Sequence, residues 1–90
     1  VEGVRIAVDA AERLVDAANQ ERVLADEMAE AERRRFALGT SSFFLVNQRE
    51  EQANDARLRL IDAQARIADA RANLATATAD RALLGLPARP

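Results

Sequence analysis

Leu38-Gly39-Thr40-Ser41-Ser42 interrupts a chain that otherwise runs almost without helix breakers, and its reading decides the fold. Glycine adopts the left-handed conformation that ends a helix at little steric cost, and Gly39 is placed to do so. Thr40, Ser41 or Ser42 can each cap a following helix through a hydroxyl oxygen, and the sequence leaves the choice among the three open. Arg33, Arg34 and Arg35 precede the glycine, where cations complement the carbonyl end of a helix dipole. Working outward, both flanks are rich in Ala, Leu, Arg and Glu, which are strong helix formers. The next punctuation is Gly85-Leu86-Pro87, followed by Pro90. The reading is an all-α chain: a long antiparallel coiled-coil hairpin. One helix spans about 1–37, a turn 38–42, a second helix 42–84, and a tail 85–90.

Apolar periodicity supports the hairpin. Ala53, Ala56, Leu60, Ala63, Ile67, Ala70, Leu74 and Ala77 follow an unbroken alternation of three- and four-residue steps. Ala7, Ala10, Leu14, Ala17, Glu21, Leu24, Met28 and Ala31 do the same with one polar exception. Such rows are coiled-coil seams. Folding the chain at Thr40 brings Leu24 level with Ala56, Ala17 with Ala63, Leu14 with Ile67 and Ala10 with Ala70. Glu21 then faces Leu60, with Arg57 as its expected neutralising neighbour.

Each helix also carries a second row. Ile61, Ala65, Ala68, Ala72, Ala75, Ala79 and Ala82 form one. Val4, Val8, Ala11, Val15, Ala18, Ala25, Ala29 and Phe36 form the other, interrupted by Arg22 and Glu32. A hairpin needs one apolar stripe per helix, so two stripes predict further helical neighbours. Self-association follows as an expectation, as a dimeric four-helix bundle or higher when the chain is alone. The remaining faces carry acid-before-base pairs: Asp9 with Arg13, Glu30 with Arg34, Asp55 with Arg59, and Asp62 with Arg66. On exposed helices each contributes roughly 0.2–0.5 kcal/mol.

Composition narrows function further. A formal net charge of -2 gives no electrostatic footprint for nucleic acid. With neither His nor Cys, no ordinary zinc site or nucleophile–base arrangement can be assembled. No Gly-rich phosphate loop or calcium-loop spacing occurs, so the expectation is a protein without catalysis, cofactor or metal. No apolar run reaches the ~18–20 residues of a membrane span. The first helix starts almost at Val1, which reads as a segment of something larger.

One region departs from a solvated hairpin. Leu38 through Val46 combines the turn with Phe43, Phe44, Leu45 and Val46 at the narrow end, where water is expected. Two accounts stay open: Phe36, Phe43 and Phe44 plug the end of the hairpin, or the tip docks a partner.

The stretch Arg35-Phe36-Ala37-Leu38-Gly39-Thr40-Ser41-Ser42-Phe43-Phe44-Leu45-Val46-Asn47-Gln48-Arg49 resembles the periplasmic hairpin of TolC-like outer-membrane efflux proteins. Those proteins carry an Arg-Tyr/Phe-x-x-Gly-x-Ser/Thr-Ser turn and then an apolar stretch ending in Gln-Arg. Leu58 through Ala65 and Ala82-Leu83-Leu84-Gly85 extend the likeness, although only the turn is distinctive.

The resemblance implies one hairpin of a trimeric α-barrel in the periplasmic portion of an outer-membrane duct. Leu38, Gly39, Thr40, Ser41, Ser42 and Phe43 would form a tip that docks a periplasmic adaptor (membrane-fusion) protein of a tripartite export system. Leu14, Leu24, Met28, Leu60, Ile61, Ile67 and Leu74 would be the packing residues of its seams. Some family members place aspartates six and nine residues after the turn glycine; those positions are Leu45 and Gln48 here, so an acidic gate is not implied. A hairpin of the adaptor itself, or a generic coiled-coil arm, are the alternative readings.

Overall fold

The computed structural model describes residues 2–85. Helix α1 runs Glu2–Ala37 and helix α2 Phe43–Leu83. They lie antiparallel in a rod of 69 × 16 × 14 Å. Val1, the expected first helical residue, and 86–90, most of the expected tail, lie outside the described residues.

The turn is built by local chemistry. Gly39 takes φ +80°. The Thr40 amide donates to the Arg35 carbonyl at 2.9 Å and the Gly39 amide to the Phe36 carbonyl at 3.0 Å. That pair of bonds is the Schellman ending, and it satisfies carbonyls the last helical turn would otherwise leave open. The Thr40 hydroxyl adds a 3.1 Å bond to the same Arg35 carbonyl. Of the three candidate caps it is Ser42 that caps α2: its backbone is extended and its Oγ accepts from the Leu45 amide at 3.1 Å. At the far end, Gly85 has φ +70° and follows the C-cap Leu84.

On α2 the face turned to α1 is the expected row. Ala53, Ala56, Ala63 and Ile67 are buried, and Leu60, Ala70, Leu74 and Ala77 are half-buried. The α1 seam requires a correction. Val8, Ala11, Ala18 and Ala29 are buried with Glu32, and Val4, Val15, Arg22 and Ala25 are half-buried. The row expected to face inward is rotated out: Leu14 is 53% and Leu24 58% exposed, and Met28 is exposed as well.

Cross-helix charge explains the choice. With the valine row inward, Glu12, Asp26 and Arg33 come to one edge of the interface. There they meet Arg71 at 3.7 Å, Arg57 at 3.0 Å and Glu50 at 3.1 Å. The polar interruptions are also satisfied, since Arg22 reaches Asp26 at 3.0 Å and Asn19 at 3.1 Å. The level of pairing agrees with a fold at Thr40 to within a turn, and Ala17 and Ala63 do line one groove. Glu21, however, does not face Leu60. It sits at the edge and is bridged by Arg59 at 3.3 Å, while Arg57 serves Asp26. Consequently Asp55 does not hold Arg59, whereas Glu30–Arg34 and Asp62–Arg66 form as expected.

Candidate functional site: the tip and the uncovered apolar rows

Residues 33–45 are exposed except Ser41, which is half-buried. Leu38 is 79% and Phe44 72% exposed, and Phe43 is similarly open. The Phe36 and Phe43 rings meet at a centroid distance of 6.2 Å, tilted by 55°. They cover each other in part without sealing the rod, so plugging by the three phenylalanines is not what closes the end. The buried residues that flank the turn are Glu32, which Ser41 meets from it, and Val46. The tip therefore presents apolar side chains to solvent on a backbone whose amides are hydrogen-bonded on both sides.

Glu32 is the buried charged residue among those described, at 4% exposure. Ser41 Oγ donates to its Oε2 at 2.5 Å and Arg49 Nε to its Oε1 at 3.5 Å, with Arg35 Nη1 at 4.0 Å. The Ser41 hydroxyl, joined by Arg49 and Arg35, holds its carboxyl below the ordinary carboxylate value against the opposing effect of burial. Glu30, on the exposed side, is lowered chiefly by Arg33, which it meets at 2.8 Å, and then by Arg34. Arg33 is raised in turn by Glu30 and by Glu50 across the interface. The triple arginine is thus tied to acidic neighbours as the spacing suggests.

Two apolar rows remain open along the shaft, on different flanks. Leu14 and Ala17 border a shallow groove with Arg59, Asp62 and Arg66. This is the flank of the Glu21–Arg59 bridge, and Leu24 and Met28 continue that α1 row. On α2, Ile61 is 60% exposed, and Ala65, Ala68 and Ala72 are exposed with it. Ile61 lies one turn beyond Arg57 and Ala68 one turn before Arg71, so this row leans toward the opposite edge. Leu60, Ile67 and Leu74 belong to the inner face, and Ile61 to the outer.

Among the described residues no group of three or more potential metal-ligating side chains comes together, and no helix is long and apolar enough to cross a membrane. Compared with family models, curated proteins and solved structures, the chain matches none.

Proposed function

We propose that the chain works by helix packing and tip docking, without catalysis. In this reading it is a hairpin of the periplasmic α-barrel of an outer-membrane efflux or secretion duct. The observation that carries the reading is the exposed apolar tip, Leu38, Phe43 and Phe44, at the end of a rod with uncovered apolar rows on two flanks. A tip of this kind suits end-on contact with another hairpin, the periplasmic adaptor protein. Rows on different flanks suit lateral neighbours on both sides, as in a closed ring of hairpins. The likeness of Arg35 through Arg49 to TolC-like turns names the assembly; the exposed surfaces supply the physical motive. Alone, the chain would cover its rows with a second copy, giving a four-helix bundle that substitutes for barrel neighbours.

The test uses the absence of native cysteine. Thr40→Cys is introduced in the intact parent protein and a second cysteine at the tip of the candidate adaptor hairpin, and disulfide formation is followed in cells. A crosslink that tracks tip positions and disappears for Arg59→Cys supports the reading. No crosslink at any tip position, with both proteins expressed and folded, refutes docking and leaves a generic packing hairpin.

A further inference from the structure

Glu32 occupies a position in the α1 seam where an apolar side chain would pack without any cost of removing charge from water. Its neighbours in that row, Ala29 and Ala25, are small and apolar. What a carboxylate can do there, and an alanine cannot, is reach two other segments at once. One oxygen receives the Ser41 hydroxyl from the turn; the other receives Arg49 from the second turn of α2. Ser41 is the residue of the exposed stretch 33–45 that points inward. Arg49 is itself steadied by Gln52 at 3.3 Å. The three groups therefore join the end of α1, the turn and the start of α2 through one buried point.

We infer that the Glu32–Ser41–Arg49 clasp positions the docking tip: it fixes how the turn presents Leu38, Phe43 and Phe44, rather than holding the helices together. Besides Glu32–Arg49, the helices are joined by the alanine seam and by the cross-helix ion pairs Arg33–Glu50, Arg57–Asp26, Arg59–Glu21 and Arg71–Glu12, none of which involves the clasp residues. Glu32, Ser41 and Arg49 are thus positioning residues for the tip. This assignment rests on the docking reading for its purpose but not for its geometry.

The experiment is amide hydrogen exchange on the whole 90-residue chain, comparing wild type with Glu32→Ala, Ser41→Ala, the double variant, and Glu30→Ala as an exposed control at the same end. Exchange at Thr40, whose amide bonds the Arg35 carbonyl, and at Leu45 and Val46, whose amides bond Ser42 Oγ and the Ser42 carbonyl, reports on the tip. Exchange at Ala53 through Ile67 reports on the shaft. The expected result is about tenfold faster exchange at the tip for Glu32→Ala, with less than twofold change in the shaft. Ser41→Ala should reproduce much of this, and the double variant should add little to either, because one interaction is being removed twice. Glu32→Gln, which keeps an acceptor for the hydroxyl, should recover part of the protection. Unchanged exchange at the tip, or acceleration spread evenly along both helices, overturns the assignment. Thr40→Cys crosslinking in the parent protein, repeated in the Glu32→Ala background, keeps the two ideas apart. Its absence in the wild-type background would count against docking alone.

Discussion

Within the turn half, Ala56 is 1% exposed and Ala29 and Ala53 are nearly as closed, while Ala63 at mid-helix and Val8, Ala11 and Ile67 beyond it, like Val46 beside the turn, retain more contact with solvent. Farther out, Val4, Ala70, Leu74 and Ala77 are only half-buried. Ion pairs cross the interface in both halves. Arg33–Glu50, Arg49–Glu32, Arg57–Asp26 and Arg59–Glu21 cross the interface in the turn half; Glu12–Arg71, at 3.7 Å, crosses it in the open half. The three–four spacing runs along both helices, and its polar interruptions, Arg22 and Glu32, fall in the turn half rather than the open one, so the difference comes from what the turn imposes. A short connection with both helix ends capped forces close approach, and alanine tolerates it because nothing beyond Cβ stands between the backbones. Away from the turn no such connection sets the distance, and small side chains give little area to hold it. Alanine seams serve as spacers where something else clamps, and as weak contacts where nothing does.

Enlarging one alanine at each end should break this comparison most sharply. Ala56→Leu would overpack a closed seam and cost about 2 kcal/mol of unfolding free energy. Ala70→Leu would partly fill the shallow groove it shares with Val4 and Ala7, and stabilise by roughly 0.5–1 kcal/mol. Urea unfolding followed by helical circular dichroism measures both, and equal losses at the two sites would show that the gradient in closeness has no energetic meaning.

The glycines give a second pair of opposite signs. Gly39→Ala meets no crowding, yet the left-handed φ alone should cost about 1–2 kcal/mol. Gly3→Ala, in helical backbone with open space around it, should gain roughly 0.5 kcal/mol or less. Thermal midpoints resolve these signs, and a neutral Gly39→Ala would mean the turn readily adopts another form. A smaller effect, about 1 kcal/mol, is expected for Ser42→Ala, which removes the acceptor for the Leu45 amide. Ser41→Ala should leave that cap intact, so fraying of α2 at Leu45 in the first variant and not in the second separates capping from the clasp.

Acid should have the gentlest influence, and it should be felt at the turn end. Glu30 and Glu32 both lie there, with carboxyls held below the ordinary value of 4.5. Their contribution is complete above that value and is lost as pH falls through their lower folded values. Amide shifts of Ser42 and Leu45, followed from about pH 6 down to about pH 3, should move before those of the open half. Stability at the turn that declines as pH rises from 4.5 toward neutrality would have the wrong sign.

The two ends also differ in how legible they were. Gly39, both helix spans and the α2 row could all be read, because each depends on local conformation or on one helix's spacing; a cap among Thr40, Ser41 and Ser42 could be expected, but that it is Ser42 came from the structure. The inward face of α1 could not. Its two rows have the same three–four spacing, and the one with fewer polar residues was the natural choice. Charges on the other helix decide between them, through Arg57, Arg71 and Glu50, which periodicity on α1 does not contain. Glu32 was misleading for the same reason: in the sequence it interrupts an apolar row, and its purpose appears only when Ser41 turns inward. The exposed tip was visible as a run of apolar residues, but whether it was plugged required the placement of Phe36, Phe43 and Phe44.

If the open half and the flanks are incomplete surfaces, the isolated chain should not remain single. Sedimentation equilibrium across a wide concentration range tests this most directly. The account predicts a mass that rises above the 9.8 kDa of one chain as concentration increases, with Leu24→Glu and Ile61→Glu each shifting the transition to higher concentration. A mass fixed at one chain at all concentrations, with both helices fully formed by circular dichroism, would contradict it.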